Sequence, residues 1–257
     1  MKQDDDAFDL VIVDDGLGQE SLAELKNKFH CHLLEPSGNI AENRLAGFRF
    51  MIDAGYQYTV FADADDLMSA DRVRVTTKLL ENYDIVANDL DIMSSDGQFI
   101  KKAIWSDRLQ NLSEITPEDI FDSNIIGLGN SGVRTAILTG LEIPSYIIAV
   151  DWFIYTVLLN RGYRAIFTSR TSTGYRQHDA NILGIGDSEI SDSELKKKIK
   201  IKSAHYRALR NLSPRYARKY AYYSTLESQI NNPEELNRHM ADRAMLEKDN
   251  SFWLETV

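Results

Sequence analysis

"YTVFADADD", residues 58–66, decides how the rest of the chain is read. Tyr58 to Ala62 form a short run of β-branched, aromatic and small side chains, the composition of a strand. Directly behind it stand Asp63, Asp65 and Asp66. Carboxylates that close repel one another and must be solvated or neutralised. A divalent cation would neutralise them, and hard oxygen donors suit Mg2+ or Mn2+. The bland reading is a solvated acidic turn leading into a helix, and for an isolated pair of Asp residues one position apart it is the stronger one.

Outward from this stretch the pattern repeats. "FDLVIV" (8–13) reads as a strand that leaves through "DDGLGQ" (14–19), and "ESLAELKNKF" (20–29) sets Leu22, Leu25 and Phe29 at helical spacing. "CHLLE" (31–35) is a second strand. "SGNIAENRLAGFRFMIDAG" (37–55) places Ile40, Leu45, Phe48, Met51 and Ile52 on one helical face, with Gly55 just past its end. After the acidic stretch, "SADRVRVTTKLLEN" (69–82) opens a helix with Ser69 as the expected N-cap, and "YDIVAND" (83–89) is a fourth strand. Strands and helices taking turns predict an α/β fold, a mostly parallel sheet flanked by helices. In such sheets ligands bind outside the carboxyl ends of the strands. Asp14 with Asp15, and Asp63 with Asp65 and Asp66, both fall at such ends.

Further on, "DIMSSDGQFIKKAIW" (91–105) reads as a hairpin turning at "SSDG". "VDWFIYTVLLNRG" (150–162) is a helix ending near Gly162, and "YRAIFTS" (163–169) a strand. "STGYRQHDANILG" (172–184) reads as a polar, irregular loop. The chain then turns helical, with a Ser191/Glu194 capping box and helix starts at Ser213-Pro214 and Asn232-Pro233. The expected division is a catalytic-type domain over 1–187 and a helical extension over 188–257.

Composition narrows the function classes. Lys and Arg total 29 against 39 Asp and Glu in 257 residues, a formal net charge of -10 that disfavours a nucleic-acid partner. The single cysteine, Cys31, cannot form an internal disulfide, which fits the reducing cytoplasm. No run approaches the roughly 18 to 20 apolar residues of a membrane span.

Four pieces in sequence order resemble a family 2 glycosyltransferase of the GT-A fold. "VIVDDG" (11–16) resembles the strand and turn whose aspartate contacts the nucleotide base. "GNIAENRLAG" (38–47) resembles the family's glycine to "ARN" helix start. "FADADD" (61–66) resembles the metal-binding "DxD" signature. "VDWFIYTVLLNRGYR" (150–164) resembles the helix whose leading acidic pair supplies the catalytic base, and "YRQH" (175–178) also recurs there. Together they cover roughly residues 8 to 185.

The resemblance implies a metal-dependent, inverting transfer of a sugar from a nucleotide-sugar donor to a hydroxyl acceptor, a glycan or a lipid-linked molecule, in surface polysaccharide synthesis. It implies Asp151 as the general base and Asp65 as a metal ligand, with Asp63 holding the ribose or sharing the metal. Asp14 or Asp15 would read the base, Asn43 would bind the nucleotide sugar, and His178 would ligate the metal or contact phosphate. The cofactor would be Mn2+ or Mg2+. Asp151 also reads as an ordinary helix-start acid, and Arg44 and Arg176 read either as phosphate contacts or, as most arginines do, as surface cover. Where the family has "ARN" this chain has "AEN", and Val150 stands where Glu is usual.

In the family an extra strand and helix precede the "VDDG" strand, whereas only seven residues precede Phe8 here. The usual first strand is therefore expected to be absent, and its place in the sheet open or filled by another segment, such as one from a second subunit in a homo-oligomer. This departure supports the alternative of a truncated or non-catalytic subunit acting in binding or assembly. A phosphatase of the haloacid dehalogenase type also places two Asp residues after a strand, but Leu67 stands where its motif wants Thr or Val. The segment 196–219, rich in Lys and Arg and interleaved with Tyr206 and Tyr216, reads as a solvated helix face. Its alternative is a peripheral contact with the anionic inner face of a membrane. Leu209, Leu212, Tyr216, Tyr220 and Tyr223 form an apolar stripe for packing.

Overall fold

The computed structural model describes residues 3–230 and 232, apart from 15, 17, 37 and 178–191. The chain divides into two compact units: Met1–Ile115, Gly127–Ser145 and Tyr163–Arg176 form the first, and Thr116–Ile126, Tyr146–Gly162 and Gln177–Val257 the second. With elements numbered in chain order, the first unit holds β1 (Leu10–Val13), α1 (Gln19–Lys28), β2 (Cys31–Leu34), α2 (Ile40–Asp53), β3 (Tyr58–Val60), β4 (Leu67–Met68), α3 (Arg72–Leu80), β5 (Ile85–Met93), β6 (Phe99–Lys101), β7 (Glu114–Ile115), β8 (Ser131–Arg134) and β9 (Ala165–Arg176). The second holds α4 (Val150–Asn160), α5 (Asp192–Leu209) and α6 (Pro214–Gln229).

Local chemistry explains the helix that governs the first unit. Asn39 caps α2 in a reciprocal box: its Oδ1 accepts from Glu42 N–H at 3.1 Å, and its own N–H donates to the Glu42 carboxylate at 3.2 Å. The residue before it is Gly38 at φ +134, where a Cβ would collide with that same carboxylate. At the other end Gly55 takes φ +76, the left-handed turn that stops a helix. The α2 face then packs on two strands, with Gly47 against Val13 of β1 and the Met51 sulfur accepting from the Thr59 hydroxyl of β3 at 3.3 Å.

The sheet is mixed, which corrects the expectation of mostly parallel pairing. β1 and β2 pair in parallel as a separate two-stranded sheet. Among the described residues the larger sheet has seven strands, ordered β3-β8-β5-β9-β4 with β6 on β5 and β7 on β9, and of these only β5 and β9 pair in parallel. The alternation of strands and helices nevertheless points the right way for β3, β5 and β9, which run in one direction. The short β8 slips between β3 and β5 in the opposite sense. Its core gathers Leu80, Val86 and Ile166 with Tyr58, Leu79 and Tyr83 packed on them.

Two further expectations are corrected. Residues 171–176 belong to β9, so the polar "STGYR" is strand and not loop, held by pairing with Asp89–Met93 after a register shift. Ser69 does not cap α3. Leu67 and Met68 are drawn into pairing with β9, the helix starts at Arg72, and the Ser69 hydroxyl instead meets that of Ser172 at 3.1 Å. The "SSDG" hairpin forms as read, joining β5 to β6.

In the second unit α5 packs on α6 through Leu195, Ile199 and Ile230. Tyr206 is fully buried, stacked on Tyr223 at 5.4 Å between ring centroids, with its hydroxyl donating to the Phe121 carbonyl at 2.8 Å. Part of the basic segment is internal: Lys198 and Lys202 are buried, Lys219 pairs with Asp122 at 2.5 Å and Arg215 pairs with Glu118. The apolar stripe buries Leu209, Tyr216 and Tyr223 and leaves Leu212 exposed. Pro214 starts α6 behind Ser213, as read. The boundary at 187, the Ser191 cap and the helix expected after Asn232 lie outside the described residues. No helix among the described residues is long and apolar enough to cross a membrane.

His205 is fully buried and stacks on Trp152 at 3.6 Å, and burial, then the nearby Lys202, holds its pKa well below the usual histidine value. The unfolded chain therefore takes up a proton that the folded one refuses, so stability present above about pH 6.5 is lost as pH falls below it. Between pH 7 and pH 5.5 the urea midpoint of wild type is expected to fall relative to that of His205→Phe, which keeps the stack and lacks the titrating group. Equal slopes for the two proteins would show that His205 is not the titrating group.

Candidate functional site

β3 ends at Val60, and its chain continues through Phe61, whose N–H donates to Ser131 O at 3.0 Å, before turning at Asp63. The turn closes with Asp66 N–H on Asp63 O at 3.3 Å. That geometry directs two carboxylates toward one spot. A Cβ placed on Gly129 would lie 2.7 Å from Asp63 Oδ2 and 2.9 Å from Asp66 Oδ2, so both oxygens close on the bare Cα of the loop ahead of β8 and any side chain there would collide with them. The loop is fixed from behind: Gly129 O accepts from the Thr173 hydroxyl at 3.1 Å, and Asn130 donates to Asn88 O at 2.9 Å.

The other oxygens of these acids are already engaged. Asp63 Oδ1 accepts from Arg44 of α2 at 3.0 Å, and Asp66 Oδ1 accepts from the Arg176 backbone N–H at 3.0 Å. Arg176 also donates through its side chain to Asp65 O at 2.9 Å and to Ser95 O at 3.0 Å. Arg44 and Arg176 thus belong to the acidic corner, where the sequence left phosphate contact and surface cover open. Asp66 Oδ2 is buried with no hydrogen-bond partner among the described residues. Burial, and then the charges of Asp63 and Asp65, push the Asp66 pKa up to about 7, although the Arg176 N–H and Arg72 pull against them.

Arg72 was not anticipated. It is fully buried at the first position of α3, where the helix dipole disfavours a cation. Its Nε donates to Asn88 Oδ1 at 2.8 Å and its Nη2 to Ser131 O at 3.2 Å, and its charge opposes that of Asp66. The readable signal was an arginine three residues after a helix-start serine, yet nothing in "SADR" says which way the side chain turns.

The remaining sequence-predicted residues are placed as follows. Asp14 closes β1 and accepts from Gly16 N–H at 3.1 Å, an Asx turn at the carboxyl end of its strand. Asn43 lies in the first turn of α2, next to the Arg44 that holds Asp63. Asp151 lies in the second unit, in the first turn of α4, where its Oδ1 accepts from the Trp152 N–H at 2.8 Å. The N-cap position there is Ala149, with no side-chain cap. Asp15 and His178 lie outside the described residues.

An oxygen-only donor set, an orphaned buried carboxylate oxygen and the convergence of two carboxylates that the missing side chain of Gly129 permits fit a hard divalent cation such as Mg2+ or Mn2+. The chemistry open to such a corner is the binding of a cation together with phosphate oxygens, at the carboxyl end of a strand of an α/β sheet.

The fold is that of the GT-A glycosyltransferases. TarS from S. aureus, residues 1–349, superposes with a TM-score of 0.56 at 14% identity, over 97% of this chain and 86% of that one. The same protein in complex with UDP-GlcNAc gives 0.55 at 13% identity, over 97% and 86%. The mannosyltransferase PcManGT from Pyrobaculum calidifontis, in complex with GDP-Man and Mn2+, gives 0.52 at 15% identity over 95% of this chain and 67% of that one. No protein-family profile matches the sequence, and no curated protein sequence matches it.

Proposed function

We propose that the chain is a glycosyltransferase that moves a sugar from a nucleoside diphosphate sugar to a hydroxyl acceptor, with inversion. The observation that carries this reading is the convergence of the Asp63 and Asp66 carboxylates at Gly129, at the end of β3 in a GT-A fold. Asp63 and Asp65 would hold the cation, and Asp66 would complete its charge balance. Such a cation offsets the negative charge that gathers on a departing diphosphate. Asp14, at the end of β1, would meet the base, and Asn43 would approach the donor from α2. Asp151 would accept the proton of the acceptor hydroxyl as that oxygen attacks the anomeric carbon. A single displacement needs one base and no covalent intermediate, hence inversion. The donors bound by TarS and by the mannosyltransferase suggest uridine and guanosine diphosphate sugars as the first to try.

A second reading, a non-catalytic subunit acting in binding or assembly, has one observation in its favour: all four residues of β1 are apolar, yet none is fully buried.

Calorimetric titration of uridine, guanosine and thymidine diphosphates, with and without Mn2+, tests the first reading. One of the three is expected to tighten with metal, and Gly129→Ala, whose methyl would press both carboxylates out of place, is expected to lose that gain. No metal dependence for any base would overturn the transferase assignment and leave the second reading standing.

A further inference from the structure

A second group of metal-binding side chains lies on the β1–β2 sheet. His30 stands immediately before β2 and His32 is its second residue, so strand alternation puts both on one face with Cys31 turned the other way. The parallel register, in which Leu10 pairs with Cys31, brings Asp9 beside His30. His30 Nδ1 lies 2.8 Å from Asp9 Oδ1, and His32 Nε2 lies 3.8 Å from Asp9 Oδ2. A fourth donor arrives from the connection between α2 and β3: the Tyr56 hydroxyl donates to Asp9 Oδ2 at 2.5 Å and lies 3.2 Å from His32 Nε2. The ligand atoms of Asp9, His30 and His32 all lie within 4.8 Å of one another.

These spacings bracket the roughly 3.3 Å that separates ligand atoms about 2 Å from a tetrahedral ion. The rings are held in place for it. His32 sits 5.0 Å from Phe50 and 4.7 Å edge-on from His30, between centroids. Access from solvent is open, since the His30 side chain is 70% exposed and Asp9 and His32 are about one-third exposed, at 31% and 32%.

We propose that Asp9, His30 and His32, with Tyr56 as fourth or supporting ligand, form a transition-metal site of the zinc type. Two imidazoles and a carboxylate select Zn2+, Co2+, Ni2+ or Cu2+ over Mg2+, the reverse of the all-oxygen corner at Asp63. The ligands come from just before β1, from the start of β2 and from the α2–β3 connection. A metal there would tie the two-stranded sheet, which shares no ladder with the larger one, to the chain that leads into β3. Its role is that of a clamp, and it does not depend on the glycosyl-transfer reading.

Co2+ titration of the metal-free protein, followed by visible absorption, tests the site. Intense four-coordinate ligand-field bands are expected to saturate at one equivalent and to be bleached by Zn2+. His32→Ala and Asp9→Asn are expected to remove them, Tyr56→Phe to weaken Co2+ binding about 10–100-fold, and Asp65→Asn to leave them unchanged. Zn2+ should also raise the urea midpoint of wild type but not of His32→Ala. Absence of the bands in wild type overturns the proposal whatever the variants do. Bands that survive His32→Ala, or that vanish only with Asp65→Asn, place the ion elsewhere and overturn it as well.

Discussion

Asp151→Asn is expected to lower the turnover of a competent donor and acceptor pair by about 10^2 to 10^4-fold, the usual worth of a positioned general base. Nucleotide affinity should be unchanged, because the side chains assigned to the diphosphate and its cation are Asp63, Asp65 and Asp66 at the end of β3. The fold should tolerate the change. Asp151 Oδ1 accepts from the Trp152 N–H, a bond that an amide oxygen can also accept, and α4 is buried along most of its length. An uncharged group in the first turn gives up a fraction of a kcal/mol of dipole interaction, roughly 0.3 to 1. A rate loss of that size with intact binding and an unmoved urea midpoint separates base catalysis from helix capping, which would show the opposite pattern. Turnover within a few-fold of wild type would assign the proton to another acceptor.

What the sequence made legible follows the kind of information each residue carries. Periodicity marks the residues of α2 and α4 because their apolar faces repeat, and Gly55 and Gly162 end them with positive φ. The strand ends of β1 and β3 were legible because apolar runs stop abruptly at acids. β9 was half missed because "STGYR" has the composition of a loop. Its strand conformation comes from a partner, β5, eighty residues earlier, which no local pattern reports. The antiparallel β8 was missed for the same reason, its "SGVR" being too short and too small to announce a strand. At the site, the acids could be read but not their surroundings. Arg72, Arg44 and the Arg176 backbone reach the corner from three separate elements, and only tertiary structure says that they converge. His30 and His32 were overlooked although their spacing on a strand was visible, since the third ligand lies twenty-one residues away across a strand pair.

The charge state of Asp66 gives the acidic corner a signature that needs no substrate. In the folded chain its carboxyl titrates at about 7, against 3.8 for the unreacted side chain, because it is buried beside two other acids. The folded state therefore keeps a proton that the unfolded state has already released. The stability this lends is fully present below about pH 4 and is lost as pH rises through 7. Asp66→Asn cannot titrate, so in chelator it is expected to match wild type near pH 4 and to exceed it at pH 8 by on the order of 2 kcal/mol. That figure is well under the full worth of the shift because the side chain keeps some contact with solvent. Mn2+ should reverse the order. In wild type the ion takes the place of the missing proton, so its affinity should rise between pH 6 and pH 8 as Asp66 ionises and its stabilising effect should be largest there. In Asp66→Asn, with one charge fewer, the same ion should bind more weakly and with little pH dependence. Urea midpoints for both proteins from pH 4 to 8, in chelator and in Mn2+, supply the comparison. Parallel curves in chelator would mean that Asp66 is an ordinary solvated carboxylate, and that the acids meeting at Gly129 have no need of a cation.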